Sequence, residues 1–164
     1  LIEAFHILNS KFKIQNSKLL LVGDGSEKEN LKLKIENLKL GDSVIFAGSV
    51  GHYELPKYLR ISDVFVRPSR SEGLGSAFLE AMAASLPVIG TKVGGIPDFL
   101  KNKETGLFAE VDSPENLAEK INLLLTDKEL RENIIRNAKE MAVQKYDWDK
   151  IAGEFKKLYL ELDE

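Results

Sequence analysis

The sequence contains no cysteine among its 164 residues. Disulfide bonds, thiolate nucleophiles and zinc sites built on cysteine are therefore excluded. Histidine is also scarce: His6 and His52 are far apart in the sequence, and neither has a metal-binding partner at helical spacing. The absence of cysteine fits a reducing compartment, so we expect a cytoplasmic protein.

The sequence also lacks an excess of positive charge and a long apolar run. Its formal net charge is −3. Proteins that bind the phosphate backbone of nucleic acids need a basic face, so we expect no nucleic-acid partner. No apolar run approaches the roughly 20 residues that a membrane-spanning helix needs. Because the sequence starts at Leu1 within a helical pattern, we expect it to be a domain cut from a longer protein.

The residues that are present suffice for one folded domain, with 43% hydrophobic and 30% charged residues. Short apolar segments alternate with amphipathic ones, which predicts strands alternating with helices. That order is typical of a Rossmann-like α/β fold, a doubly wound parallel sheet with helices on both faces. We predict a single domain over residues 1–164, with strands at 18–22, 43–47, 63–66, 87–90 and 105–108.

Helices are predicted between these strands and through the C-terminal third. Ser26 and Thr126, each followed by a glutamate three residues later, are expected to open capping boxes. Ser113, which precedes a proline, and Asp147 are expected to cap helices as well. The apolar stripe of the last helix, which begins with Trp148, is expected to lie in the core. The predicted helices lie at 1–8, 26–38, 54–60, up to about 84, 96–100, and after residues 113, 126 and 147.

Glycine-rich turns follow four of the predicted strands, at 23–25, 48–49, 69–75 and 94–95. Ligands of parallel sheets bind at the carboxyl ends of the strands, so these turns should gather at one edge and form one site. Gly94-Gly95 is either a plain turn or a place where the backbone approaches a ligand closely. The turn at Gly23 is weakly similar to a dinucleotide fingerprint, but it lacks the third glycine, so a tight turn is favoured.

Two carboxylates flank the third of these turns. Glu72 lies in a loop before a glycine pair, and Glu80 lies in an apolar, alanine-rich helix where a charge needs a partner. We expect that helix to be buried nearly all round and Glu80 to face a cavity. The alternative is that both glutamates only form ion pairs, with Arg67, Arg70 or Lys92. A glycine-rich helix start suits phosphates, and carboxylates suit hydroxyl groups.

These motifs together resemble the C-terminal, nucleotide-binding domain of glycosyltransferase family 4, whose members are retaining enzymes with the two-domain GT-B fold. The resemblance covers residues 19–159 in order and spacing. The matching segments are Val22-Gly23-Asp24-Gly25, Phe46-Ala47-Gly48, Pro68-Ser69, Glu72-Gly73-Leu74-Gly75, Glu80-Ala81-Met82-Ala83, Pro87-Val88-Ile89, Gly94-Gly95-Ile96-Pro97, Thr105-Gly106-Leu107 and Asp147-Trp148.

The resemblance implies a role for each carboxylate. Glu72 would be the catalytic residue that contacts the transferred sugar, and Glu80 would hold the ribose hydroxyls of a nucleotide-sugar. Backbone amides after Glu72 would meet the sugar hydroxyls and the diphosphate, and the base would lie near Ser49 and Val50. The residues expected to bind the donor are Glu80, Gly73, Leu74, Gly75, Ser76, Gly23, Gly25, Ser49, Val50, Ser69, Gly94 and Gly95.

Three residues depart from the family pattern. Asp98 stands where a glutamate is usual, and Ser76 replaces an apolar residue and adds a hydroxyl near the phosphates. Ser85 stands where the helix usually ends in glycine, and a left-handed cap with a side chain would cost on the order of 1 kcal/mol. The resemblance also implies that the first strand, a basic pair that clamps the diphosphate and an acceptor-binding domain lie upstream.

The sequence therefore suggests the donor-binding domain of a retaining glycosyltransferase that uses a UDP-, GDP- or ADP-linked sugar. No metal or other cofactor is expected, because no Asp-x-Asp motif follows a strand. The acceptor, a sugar, lipid or glycan, would bind mainly the N-terminal domain, and the whole protein could associate with the inner face of the membrane. This chain alone should fold but be inactive. The alternatives are a GT-B sugar-nucleotide epimerase and a non-catalytic nucleotide-binding module.

Overall fold

The computed structural model describes residues 1–14 and 16–162 of the chain. Strands and helices alternate in the order that the sequence predicts. The strands are β1 (Leu19–Val22), β2 (Val44–Gly48), β3 (Phe65–Arg67), β4 (Val88–Thr91) and β5 (Leu107–Ala109), and the helices are α1 (Ile2–Lys11), α2 (Lys28–Asn37), α3 (Leu55–Arg60), α4 (Ser76–Ala83), α5 (Ile96–Phe99), α6 (Pro114–Thr126), α7 (Lys128–Lys145) and α8 (Trp148–Leu162).

The strands form two parallel sheets rather than the single sheet expected. β1 pairs with β2, and the other sheet has the order β3-β4-β5. Within residues 1–14 and 16–162, β1 and β3 each keep one edge without a partner strand. Apolar side chains of both sheets, such as Leu21 and Val66, nevertheless pack into one core cluster. The two sheets thus share a core without sharing a hydrogen-bonded ladder.

Helices cover both faces of the sheet β3-β4-β5, as predicted. Ile89 of β4 belongs to a core cluster with α1 and α6, whereas its neighbour Val88 belongs to a second cluster with α4, α5 and α7. Successive residues of a strand point to opposite faces, so the alternation Val88-Ile89 divides the two cores. The α/β architecture with parallel strands and two helical layers is therefore confirmed.

Two of the four predicted helix caps are confirmed. The hydroxyl of Ser113 accepts from the amide of Asn116, and Pro114 is the first helical residue. The Oδ1 atom of Asp147 accepts from the amides of Asp149 and Lys150 at the start of α8.

The two predicted capping boxes are wrong. Helix α2 begins at Lys28, after a turn in which the amide of Lys28 donates to the carbonyl of Gly25, so Ser26 lies outside the cap position. Thr126 still belongs to α6, where its hydroxyl donates to the carbonyl of Asn122. The cap of α7 is instead Asp127, whose carboxylate accepts from the amide of Leu130.

The expected burial of the last helix is also wrong. Trp148 is 81% exposed, and Phe155 and Tyr159 are exposed as well. Helix α8 packs chiefly against α7, and most of its apolar stripe is exposed. A stripe shows that a surface is apolar, and burial additionally requires a partner surface. No helix in the described part of the chain is long and apolar enough to cross a membrane.

Candidate functional site

The loops after the strands gather at one edge, as the sequence predicts. The amide of Gly23 donates to the carbonyl of Gly48 at 2.8 Å, which joins the loops after β1 and β2. The amide of Gly95 donates to the carbonyl of Gly73 at 2.9 Å, which joins the loops after β3 and β4. His52, in the loop after β2, lies 3.7 Å from the carboxylate of Glu80. These contacts join the loops in two pairs, and His52 connects the first pair to helix α4, which follows the loop after β3.

Glu72 is held by an ion pair inside this edge. Its side chain is only 14% exposed, and the Nε atom of Arg67 lies 2.9 Å from its Oε2 atom. The hydroxyl of Ser69 donates to the same oxygen at 3.2 Å. Of the possible partners, Arg67 is therefore the one in contact, whereas Arg70 pairs with Asp112 on the surface.

The end of β4 and the loop after it support the loop that carries Glu72. The buried hydroxyl of Thr91 donates to the carbonyl of Ser69. Gly94 has a φ of +52°, and a Cβ atom on it would lie 1.8 Å from the carbonyl oxygen of Glu72. A Cβ atom on Gly95 would lie 2.7 Å from the carbonyl oxygen of Gly73. The close approach that the glycine pair permits is therefore an approach to the Glu72 loop, and a contact with a ligand remains a prediction.

The N-terminus of α4 presents free backbone amides. Gly75 is the residue before the helix, with a φ of +76° that favours glycine. The amides of Gly73, Leu74, Gly75 and Ser76 donate to no acceptor in the described residues. Gly73, Leu74 and Ser76 are exposed, whereas Gly75 is buried. Free N–H groups at a helix start, at the positive end of the helix dipole, form a site suited to an anion.

Glu80 lies one turn after Ser76 on the same face of α4. Its side chain is 34% exposed, and Nδ1 of His52 lies 3.7 Å from its Oε1 atom. The prediction that α4 is buried nearly all round is wrong, because Ser76 and Ala83 are exposed while the opposite face, which includes Phe78 and Met82, is buried. Glu80 is therefore partly exposed on the face of α4 that lies next to the free amides.

Ser85 adopts the left-handed cap predicted for it. Its φ is +68°, its amide donates to the carbonyl of Met82, and the amide of Leu86 donates to the carbonyl of Ala81. This pair of bonds is a Schellman motif, which usually places glycine at the position of Ser85. Asp98, the other departure, lies exposed on the short helix α5.

The first glycine turn borders a cavity of about 310 Å³. Gly23, Asp24 and Gly25 line it together with apolar residues that include Leu31 and Phe46. The carboxylate of Asp24 accepts from the amide of Gly25 and from Lys28, and these two contacts lower the pKa of Asp24. This self-contained turn agrees with the tight turn favoured from the sequence.

The base was expected near Ser49 and Val50. Ser49 is exposed and Val50 is half-buried, in the loop that also carries His52. The donor-binding role of these two residues remains a prediction.

Two features of this edge were not predicted. Thr91, which supports Ser69, had a signal in the sequence, since it is a hydroxyl residue at the end of the apolar segment Val88-Ile89-Gly90. A second cavity, of about 360 Å³, opens beside Lys92 and Lys120 next to the start of α6.

Within residues 1–14 and 16–162, no three histidine, aspartate or glutamate side chains are grouped so that they could hold a metal ion.

Comparison with known proteins shows which family this chain resembles. The N-acetyl-alpha-D-glucosaminyl L-malate synthase of Bacillus anthracis is 35% identical over 147 residues, which are 90% of this chain and 38% of that protein. The GDP-mannose-dependent alpha-(1-6)-phosphatidylinositol monomannoside mannosyltransferase of Mycobacterium tuberculosis is 32% identical over 148 residues, 86% of this chain and 38% of that protein. The chain thus spans less than half the length of these relatives.

Among solved structures, the C-terminal domain of the group 1 glycosyl transferase LpcC from Francisella tularensis superposes with a TM-score of 0.79 and 30% identity. The match covers 90% of this chain and 77% of that one. The fold is therefore that of the C-terminal domain of a GT-B glycosyltransferase. The family described as "Glycosyl transferases group 1" matches residues 1–141. This chain belongs to the glycosyl transferases group 1 family.

Proposed function

We propose that this chain is the donor-binding domain of a retaining glycosyltransferase of family 4, which moves a sugar from a nucleotide-sugar to an acceptor. The observation that carries the proposal is the arrangement of Glu72, the free amides of residues 73–76 and Glu80 along one exposed edge. Two relatives of the chain are a glucosaminyl-malate synthase and a GDP-mannose-dependent mannosyltransferase, and both names describe sugar transfer. Retention at the anomeric carbon rests on the resemblance to family 4.

The diphosphate of the donor is assigned to the start of α4. When the bond between the anomeric carbon and the phosphate oxygen breaks, the departing nucleoside diphosphate gains negative charge. The amides of the exposed residues Gly73, Leu74 and Ser76, which have no protein acceptor, and the positive end of a helix dipole stabilise that charge without reorganising. We expect the reaction to need no metal ion, and removal of divalent cations by a chelator to leave the rate unchanged.

The nucleoside is assigned to the face of α4 that carries Glu80. A carboxylate that is one-third exposed accepts hydrogen bonds from two neighbouring hydroxyls, which a ribose offers. The base then extends towards Ser49 and Val50, because His52 of the same loop lies beside Glu80. Five further residues complete the donor site: Gly23, Gly25, Ser69, Gly94 and Gly95. Ser69, Gly94 and Gly95 do so by supporting the Glu72 loop.

Glu72 is assigned to the transferred sugar. It lies before the amides proposed for the diphosphate, and the sugar is the next group along the donor. The names of the two relatives give different acceptors, L-malate and phosphatidylinositol monomannoside. Acceptor choice is therefore assigned to the part of the whole protein outside this chain, and the chain alone is expected to be inactive. The whole protein is expected in the cytoplasm, at the inner membrane face when its acceptor is a lipid.

A ligand panel on the complete protein tests the proposal. UDP, GDP, ADP and their glucose and mannose conjugates are added in turn, and the melting temperature and the release of free nucleoside diphosphate are measured. A ligand that binds only the folded state raises the melting temperature, so one base should stand out. The sugar conjugate of that base should be cleaved in the presence of an acceptor mixture. The proposal fails if no nucleotide raises the melting temperature and no conjugate is consumed.

A further inference from the structure

Arg67 links the sheet β3-β4-β5 to the loop that carries Glu72. It is the last residue of β3 and pairs in register with Gly90 in the middle of the sheet. Its Nε atom lies 2.9 Å from Oε2 of Glu72, so the two side chains form an ion pair. The Arg67 side chain is 47% exposed, whereas that of Glu72 is 14% exposed. A cation fixed by a strand thus holds a nearly buried carboxylate on a loop.

The two contacts on the Glu72 carboxylate fall on the same oxygen. The Nε atom of Arg67 and the hydroxyl of Ser69 both contact Oε2, and within the described residues no hydrogen bond to Oε1 is formed. An ionised carboxylate can accept about four hydrogen bonds, two on each oxygen. The protein therefore provides partners for Oε2 of Glu72 and leaves Oε1 available to accept hydrogen bonds.

Other contacts fix the main chain of Glu72 but leave its side chain free to turn. The Gly94 contact sets the carbonyl of Glu72, and Thr91 sets the carbonyl of Ser69. A glutamate side chain has three rotatable bonds, so these main-chain contacts alone do not orient the carboxylate. Arg67 is the one cation in contact with it in the described residues, since Arg70 pairs with Asp112.

We propose that Arg67 is a positioning residue for sugar transfer: it holds Oε2 of Glu72 so that Oε1 stays free to contact the transferred sugar. The inference rests on the proposed function, and it adds a residue outside the donor-binding set. It also assigns Arg67 to Glu72 rather than to the diphosphate. An arginine that binds the diphosphate would contribute to the affinity for the bare nucleotide. An arginine that only orients Glu72 would affect the binding and transfer of the sugar, which Glu72 contacts.

The test uses Arg67→Met and Arg67→Lys in the complete protein, with Arg60→Met as the matched control. Arg60 is exposed at the end of α3, away from the loops that follow the strands. The readouts are kcat for sugar transfer, and the dissociation constants of UDP and UDP-glucose, or of GDP and GDP-mannose where the panel selects GDP.

Arg67→Met is expected to lower kcat about 10- to 100-fold, the effect of losing a charge-assisted hydrogen bond or of a displacement of about 1 Å. It should weaken binding of the nucleotide-sugar while leaving that of the bare diphosphate within about twofold of wild type. Arg67→Lys should recover part of kcat, because an ammonium group still donates to Oε2. Arg60→Met should match wild type in all readouts.

A second comparison separates positioning from a general structural role. In a Glu72→Ala background, Arg67→Met should change the ratio of nucleotide-sugar to diphosphate affinity by less than about twofold, because the two residues act as a unit. The same full effect in both backgrounds, or a loss of diphosphate affinity in Arg67→Met, would overturn the proposal. If Glu72→Ala abolishes transfer but Arg67→Met does not alter it, the proposed function stands and the inference on Arg67 fails. If wild type transfers no sugar, both fail.

Discussion

The carbonyl oxygen of Glu72 occupies the space that a side chain on Gly94 would need. A Cβ atom on Gly94 would lie 1.8 Å from that oxygen, and the residue has a φ of +52°. A larger residue would therefore be strained by the backbone angle and would also clash with this oxygen. The glycine after β4 sets how closely the Glu72 loop approaches the sheet.

Gly94→Ala is expected to displace the Glu72 loop and to lower the free energy of unfolding by more than the roughly 1 kcal/mol that a left-handed conformation costs a non-glycine residue. Urea unfolding of this chain measures the effect. Gly153→Ala is the matched control, because Gly153 is helical and nothing lies within 4 Å of its added Cβ atom. The control should stabilise by about 0.5–1 kcal/mol. Equal effects of the two changes would contradict the close approach.

Ser85→Gly is expected to stabilise the chain by about 0.5–1 kcal/mol, because Ser85 caps α4 at a φ of +68° where glycine is preferred. The greater entropy of glycine in the unfolded chain offsets part of the gain. Urea unfolding again provides the measurement. Ser10→Gly, within α1, has the same change in composition but should destabilise. A loss of stability in Ser85→Gly would show that the side chain contributes more than its backbone strain costs.

Glu80→Gln is expected to weaken binding of the preferred nucleoside diphosphate by roughly 1–3 kcal/mol, the usual contribution of a hydrogen bond to a charged group. Calorimetric titration of the complete protein measures it. Glu36→Gln, an exposed position on α2, serves as the control and should bind like wild type. A melting temperature that falls in Glu80→Gln while affinity is unchanged would indicate a structural role.

Because the apolar stripe of α8 is exposed, replacing a phenylalanine on α8 by alanine should cost much less stability than replacing a buried one. Phe78 is fully buried between the sheet and α7, whereas Phe155 is 58% exposed. In this chain alone, Phe78→Ala should destabilise by about 3–5 kcal/mol, and Phe155→Ala by less than about 1 kcal/mol given how little of it is buried. Thermal or urea unfolding compares them. Similar losses would mean that the α8 stripe is covered.

The order of elements was predictable because each short apolar segment between glycine turns became a strand. The position of the Glu72 loop followed from the rule that loops after parallel strands share one edge, and the Gly95 to Gly73 hydrogen bond confirms it. The left-handed Ser85 was also foreseen, although from the family pattern rather than from local propensity.

Other features depend on contacts that a local pattern does not contain. Ser26 satisfies a capping-box pattern, but the turn from Gly25 to Lys28 moves the helix start past it. The stripe of α8 has helical periodicity, but most of its apolar side chains are exposed. The division of the strands into two sheets depends on strand pairing across the whole domain, which the sequence of a single strand does not determine.

The central claim is that Glu72 acts on the sugar, and Glu72→Ala in the complete protein tests it most directly. Turnover and the affinity for the bare nucleoside diphosphate are measured together. The account predicts that kcat falls by at least about 100-fold while diphosphate affinity changes by less than about threefold, the pattern of an interaction made in the transition state. Unchanged turnover, or an equal loss of turnover and diphosphate affinity, would contradict it.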